Sequence, residues 1–235
     1  NKDYKEHLAA VRDWGDNLKY VPIELRTPEL CKVALENDEL AFRWIPNHLK
    51  TIPMCLDVVT KNVFMFKYVP DEFKTLEICN IAVNSRGYAL AYVPEELKTL
   101  EMCEIAVKDS GRNLQYVPEN LRTPEICAIA VKEYGNALEF VPLKHRTFEL
   151  CEIAVTQTGY ALEWVPEHLK SPELCNIAVN SRGYALEFVP EELKTRELCE
   201  IALEDVLDHF KDEFLESYVP EELHNEFKKT NERGR

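Results

Sequence analysis

The sequence predicts an all-α fold, a right-handed α-solenoid of about eight 24-residue helix-pair repeats with a cap at each end. Three observations lead there. Cysteine recurs at Cys31, Cys55, Cys79, Cys103, Cys127, Cys151, Cys175 and Cys199, always 24 residues apart. Pro22, Pro46, Pro70, Pro94, Pro118, Pro142, Pro166 and Pro190 keep the same step. Between them the local code is helical, with no sustained period-two alternation and no Asn-Gly hairpin signal. A fixed period in this range marks units that cannot bury an apolar face alone and bury it by stacking.

Taken in order, residues 1–21 are expected to form a capping helix, YKEHLAAVRDW, and a partial repeat. The units of the array, 22–203, open on Val-Pro (Ile45-Pro46 in the second) and one turn of the PEEL type. Thr27, Thr51, Thr75, Thr99, Thr123, Thr147, Ser171 and Thr195 then stand where N-caps are wanted. Pro28, Pro124 and Pro172 follow at the first helical position, where a missing N–H costs nothing. A Glu in the first turn suits the helix dipole. The LCEIAV stretch places apolar residues at i, i+3 and i+4, a helix with neighbours on both sides. Gly87, Gly111, Gly135, Gly159 and Gly183 come just after it, where a left-handed C-terminal residue is expected. A second short helix such as YALEW (160–164) runs to the next Val-Pro, where the residue before proline leaves the α region. Residues 204–235 form the C-terminal cap. Within it EDVLDHFKDEFLESY (204–218) is expected to be one longer acidic helix, and KKTNERGR to be disordered.

Composition narrows the function classes. The net charge is −14, from 42 acidic and 28 basic side chains, which repels nucleic-acid phosphates and anionic lipid at long range. No apolar run has the length of a membrane span, and NKDYKEHLAA lacks the apolar core of a secretory leader. The first residue is not Met, so a missing upstream segment is expected. One thiol per repeat suits neither a disulfide, which needs Cα atoms within about 7 Å when stacked helices lie about 8–10 Å apart, nor a tetrahedral metal, whose ligands converge within about 2.3 Å. The cysteines are read as small buried core residues, and reduced thiols point to a cytoplasmic location. No metal and no cofactor is expected.

Two further ladders share the period. Tyr20, Trp44, Tyr68, Tyr92, Tyr116, Phe140, Trp164 and Phe188 precede Val-Pro and are read as inter-repeat core. Arg26, Lys50, Lys74, Lys98, Arg122, Arg146, Lys170 and Lys194 precede the N-cap. They are read as ion pairs on a solvated edge with Glu29, Glu77, Glu101, Glu125, Glu149, Glu173 and Glu197, three residues on; the alternative is a track for a phosphate backbone. The units differ most around the glycines, where Arg86, Tyr88, Arg112, Tyr134, Tyr160, Arg182 and Tyr184 are the candidate partner-binding residues. Repeat proteins keep core positions uniform and vary the surface that meets a partner, and Tyr and Arg anchor interfaces. His145 takes the slot of Leu25, Leu97 and Leu193, with Leu143 expected to fill the gap. Signatures of phosphate loops, dinucleotide folds, zinc proteases and serine hydrolases are missing from the sequence, and no catalytic residue is assigned.

GYALEFVPEELKTRELCEIAL (183–203) resembles the tandem short-helix repeat of an uncharacterised bacterial domain family, written G-x-A-L-x-Y-A-x-x-E-L-R-x-D-x-E-x-V-x-x-A-V. The resemblance covers about residues 11–223. It departs in having Val-Pro where that family has Ala-Ser, Thr where it has Asp, and an apolar-Cys pair in the second helix. That family has no established activity, so the resemblance implies a helical-repeat fold and carries over no functional residue. The expected function is a non-catalytic scaffold, inhibitor, effector or complex subunit that holds a protein or peptide on one extended face. The alternative is a nucleic-acid-associated protein that uses the Lys/Arg ladder within a ribonucleoprotein.

Overall fold

The computed structural model describes residues 2–207, 210–224 and 227 of the chain, the side chain of Lys2 excepted. Every element among the described residues is helical. The chain divides into two compact units, Asn1–Asp109 and Ser110–Arg235. The first holds α1 (Lys2–Asp13), α2 (Pro28–Asn37), α3 (Ile52–Lys61), α4 (Leu76–Ser85) and α5 (Leu100–Asp109). The second holds α6 (Pro124–Glu133), α7 (Phe148–Gln157), α8 (Pro172–Ser181), α9 (Arg196–Asp205) and α10 (Lys211–Tyr218). No helix among the described residues is long and apolar enough to cross a membrane.

The repeat can be followed through one copy. Thr147 is extended and its hydroxyl accepts from the Leu150 N–H at 3.3 Å, which satisfies one of the free donors of α7. The helix stops at Thr158, again extended, whose N–H closes on the Ala154 carbonyl at 3.1 Å. A six-residue 3₁₀ helix, Gly159–Trp164, follows, then Val165-Pro166 and a three-residue 3₁₀ turn, Glu167–Leu169. Runs of 3₁₀ helix this long are uncommon. Here the buried positions explain the choice. Gly159, Leu162 and Val165 fall at every third residue and all are buried, so a three-residue turn keeps them on one face. The second helix of the predicted pair is thus 3₁₀ rather than α.

The glycines serve a different purpose from the one expected. None has a positive φ among the described residues. Each is buried where its 3₁₀ helix meets the α-helix of the following repeat. A Cβ on Gly159 would lie 2.2 Å from the Ala178 carbonyl oxygen of α8, and one on Gly183 would lie 2.4 Å from that of Ala202 in α9. Both are impossible contacts, so close backbone approach requires glycine here. Two repeats carry Glu39 and Val63 instead, and their 3₁₀ helices touch the next α-helix along a much shorter stretch. The glycine amide is also clasped from the next repeat. Asp109 accepts from Gly87 N–H at 2.9 Å, Gln157 from Gly135 at 2.9 Å, Ser181 from Gly159 at 3.2 Å and Asp205 from Gly183 at 2.9 Å.

The core in each unit is built from the same positions of most repeats. In α8 these are Leu174, Cys175, Ala178 and Val179, and in the adjoining 3₁₀ helices Leu162 and Leu186. At the C-terminus the predicted single helix over 204–218 is broken. Val206 is extended and buried at the position where Arg182 ends α8, so the repeat's own stop signal wins over helix propensity. α10 then starts afresh. The expected disorder of KKTNERGR lies outside the described residues.

Candidate binding face

The basic ladder turns inward, against the expectation of a solvated edge. Arg26, Lys50, Arg122, Arg146 and Lys170 each reach across to the next repeat and donate to the backbone carbonyl of its aromatic-ladder residue. The acceptors are Trp44 at 2.7 Å, Tyr68 at 2.7 Å, Phe140 at 2.8 Å, Trp164 at 2.5 Å and Phe188 at 2.9 Å. The arginines also donate Nε–H within their own repeat, to Val21, Val117 and Val141. Lys50 and Lys74 are buried, and burial lowers the pKa of Lys50. The carboxylate partners differ as well. Lys74, Lys98, Lys170 and Lys194 pair with Asp71, Glu95, Glu167 and Glu191, three residues earlier, rather than with the Glu three residues later. Two of those later residues, Glu125 and Glu173, serve the cap instead. Backbone N–H groups and the Thr123 and Ser171 hydroxyls hold Glu125 and Glu173 below the usual carboxylate range. The ladder is structural stitching: its side chains are tied to backbone carbonyls and to their own repeat's carboxylates.

The aromatic ladder moves the other way. Tyr20 and Tyr92 are exposed and the remaining six rings are half-buried. The core position lies two residues earlier, at Leu18, Phe42, Phe66, Leu90, Leu114, Leu138, Leu162 and Leu186, all of them buried.

The 3₁₀ geometry settles which side chains share the outer surface. Residues three apart eclipse one another, so the residue after each glycine position lines up with the fourth residue after it. In the first unit these pairs are Leu40 with Arg43, Phe64 with Lys67, and Tyr88 with Ala91. In the second they are Arg112 with Gln115, Asn136 with Glu139, Tyr160 with Glu163, and Tyr184 with Glu187. The later position therefore carries Lys19, Arg43 and Lys67 in the first unit and exposed Glu139, Glu163 and Glu187 in the second. Sequence reasoning missed this column, although its sign changes steadily with repeat number.

The predicted site residues distribute over this surface. Arg86 and Arg182 are exposed, in the extended residue that ends α4 and α8. Tyr88 is half-buried between Phe64, stacked at 6.0 Å, and Tyr92, edge-on at 6.4 Å; burial and then Tyr92 raise its pKa. Arg112 is exposed and lies over the Tyr134 ring at 4.6 Å. Tyr160 is exposed, and Tyr184 packs on Phe214 at 5.2 Å. Four of the seven fall into three groups: Tyr88 with Phe64 and Tyr92, Arg112 with Tyr134, and Tyr184 with Phe214 and Tyr218. In the first unit two cations of the column are tethered. Buried Asp16 accepts from Lys19 at 2.9 Å, Arg43 at 2.8 Å and the Trp44 indole at 2.8 Å. Burial pushes its pKa up, and the three donors together hold it below the usual value.

The model of a family described as a domain of unknown function (DUF4116) matches the chain at 54–98, 99–146, 123–170 and 147–194. The chain belongs to this family. The later DUF4116 matches start at 99, 123 and 147, one repeat apart, and each spans about two repeats, so a single DUF4116 domain is a pair of the units described above. No curated protein and no solved structure matches the chain.

Within the DUF4116 array the eight thiols are free and buried. Burial pushes Cys31, Cys79, Cys103, Cys127, Cys151, Cys175 and Cys199 up to about 11, and raises Cys55. A thiol so raised is a poor nucleophile at neutral pH. His145 takes the leucine slot itself, half-buried like Leu97 and Leu193, whereas Leu143 is exposed rather than filling a gap.

Proposed function

We propose that the chain is a non-catalytic, right-handed α-solenoid that holds a protein or peptide partner on the outer face of its 3₁₀ helices. One observation carries the reading. That face is where each unit varies its side chains, sets half-exposed rings at a regular step, and grades charge, basic in the first unit and acidic in the second. The structural positions beneath it, the α-helical Leu-Cys-Ala set and the buried Leu or Phe of the 3₁₀ helix, stay nearly uniform. Spaced rings supply apolar contact area at low entropy cost, and the sign of the charge on each unit favours a partner segment of the opposite sign there. Buried reduced thiols fit a cytoplasmic protein. The inward turn of the basic ladder speaks against the nucleic-acid alternative.

The test is co-purification from the native cell, wild type beside a charge-reversed face, Glu139→Lys, Glu163→Lys and Glu187→Lys. A partner identified by mass spectrometry with the wild type should be lost with the triple variant, while the melting profile is kept. Retention of the same partners by the triple variant overturns this face. Steeply salt-dependent retention on RNA or heparin overturns the protein-partner reading itself.

A further inference from the structure

The interval between Val-Pro pairs is 24 residues throughout the array but lengthens from Pro190 to Pro220. Two side chains of the added segment, Phe210 and Phe214, help form a cleft that the 24-residue repeat alone does not supply. Its volume is about 210 Å³, and its lining is Tyr184, Phe210, Glu213, Phe214, Ser217 and Tyr218. Four of the six are aromatic. Phe214 is buried and forms the floor. Tyr184 meets it edge-on at 5.2 Å and 88°, and Tyr218 meets it at 5.2 Å and 59°. Tyr184 and Tyr218 stand at 77° to each other, 6.3 Å apart. Phe210 is exposed at the rim. Rings at such steep angles are not stacked face to face, and all of them belong to the lining of the one cleft.

The electrostatics around these rings are negative. Glu213 is part of the lining, and among the described residues no lining side chain is basic. Glu187, from the acidic column, acts on Tyr218 more strongly than any other group, ahead of burial and of Glu213, and together they raise the phenol's pKa. This is the wrong setting for an anion. A compact, strongly hydrated ammonium would have to give up water for apolar walls. A methylated ammonium keeps its charge, holds its water weakly and offers methyl groups to ring faces, the chemistry for which aromatic clefts are suited.

We propose that this cleft binds a quaternary or fully methylated ammonium group, with Tyr184, Phe210 and Tyr218 around the methyls and Glu213 as the counter-charge. The group could arrive on a small molecule such as choline or on a trimethylated lysine. The inference does not depend on the proposed protein-binding face, because the probe is the ammonium alone.

The experiment titrates the full chain with tetramethylammonium chloride, sodium chloride holding the ionic strength constant, and follows the ring signals of Tyr184, Phe210 and Tyr218 by NMR. Saturable shifts are expected. Choline should bind at least about tenfold more tightly than dimethylbutanol, its uncharged carbon isostere, because the cation–π contribution is lost with the charge. Tyr218→Ala should abolish the shifts and Tyr218→Phe should keep them. Exposed Glu213 can be replaced without disturbing packing, and Glu213→Gln should weaken choline severalfold. A trimethyl-lysine peptide that outcompetes choline assigns the group to a protein, and the reverse order assigns it to a small molecule; both uphold the cleft. Equal binding of choline and its isostere, or wild-type affinity in both Tyr218→Ala and Glu213→Gln, overturns it.

Discussion

Replacing Gly159 with Ala adds a single methyl group at the tightest kind of contact in the repeat. Its Cβ would fall 2.2 Å from the Ala178 carbonyl oxygen, 3.1 Å from the Ala178 carbonyl carbon and 3.2 Å from the Arg182 Cβ. Two of these atoms are backbone of α8, so no flexible side chain can swing aside. The 3₁₀ helix must lift away, and the Gly159 amide then draws back from the Ser181 hydroxyl that accepts from it at 3.2 Å. Forced overpacking of this kind costs about 1–3 kcal/mol. Removing glycine's excess unfolded-state freedom returns up to roughly 1 kcal/mol. A net loss of about 1–2 kcal/mol corresponds to roughly 2–8 °C in Tm for a chain of this size. Thermal and urea unfolding followed by circular dichroism read it directly. Val63→Ala is the matched control. That position already carries a side chain and its 3₁₀ helix touches the next α-helix over a shorter stretch, so the change should cost no more than an ordinary half-buried truncation. If Gly159→Ala melts at or above the wild-type temperature, the glycine is not there for close approach and the account of the repeat junction fails.

Native thiols should resist alkylation at neutral pH and react quantitatively in denaturant; rapid reaction of most of the eight in the folded chain would contradict their burial. With seven thiols raised from an ordinary 9.0 to about 11, the native state keeps protons that the unfolded chain releases, so this contribution is complete below pH 9 and is lost as pH rises through 11. Urea midpoints at intervals across that window should fall steadily, and a flat profile would refute the reading. Arg146→Met removes bonds to the carbonyls of Val141, Trp164 and Glu139 and should cost about 1–3 kcal/mol, with Arg146→Lys intermediate because a lysine makes the same cross-repeat bond at Lys170; equal midpoints for the three proteins would show that the stitch is not stabilising. Thr123→Ala removes the acceptor of the Ile126 N–H and should lower stability by about 1 kcal/mol, and Thr123→Ser should restore most of it on the same melt.

The period, the caps and the buried cysteines were legible because each is a local signal repeated many times over. What misled were residues whose reason lies in the next repeat. Gly159 was placed by its distance from the end of α7, but the atom that demands it is the carbonyl of Ala178, a repeat away. Arg146 was paired with the nearest carboxylates in sequence, but its acceptor is the Trp164 carbonyl. A main-chain carbonyl has no residue type, so composition cannot announce it. The 3₁₀ helix was readable in principle: Gly159, Leu162 and Val165 recur every three residues, not every 3.6. Over six residues the two periods diverge by less than a turn, and the apolar pattern was taken for a short α-helix.

The same misreading hid the candidate face. On an α-helix Tyr160 would have lain beside Trp164, one turn on, and the aromatic ladder would have joined the variable tyrosines in a single buried stripe. On a 3₁₀ helix Tyr160 instead aligns with Glu163, and Tyr184 with Glu187. That one change of pitch turns the ladder rings partly to solvent, brings half-buried Lys19 and Arg43 and exposed Lys67 to the outer position in the first unit and exposed Glu139, Glu163 and Glu187 to it in the second, and leaves the core to the leucine or phenylalanine two places before each ring. It also sets Glu187 beside Tyr218, so that the acidic end of the column and the aromatic cleft over Phe214 share one field. A partner of the kind proposed above would meet half-exposed ladder rings in both units and, at the outer column, a charge whose sign differs between them. Charge reversal confined to Glu139, Glu163 and Glu187 separates those two contributions without altering a ring.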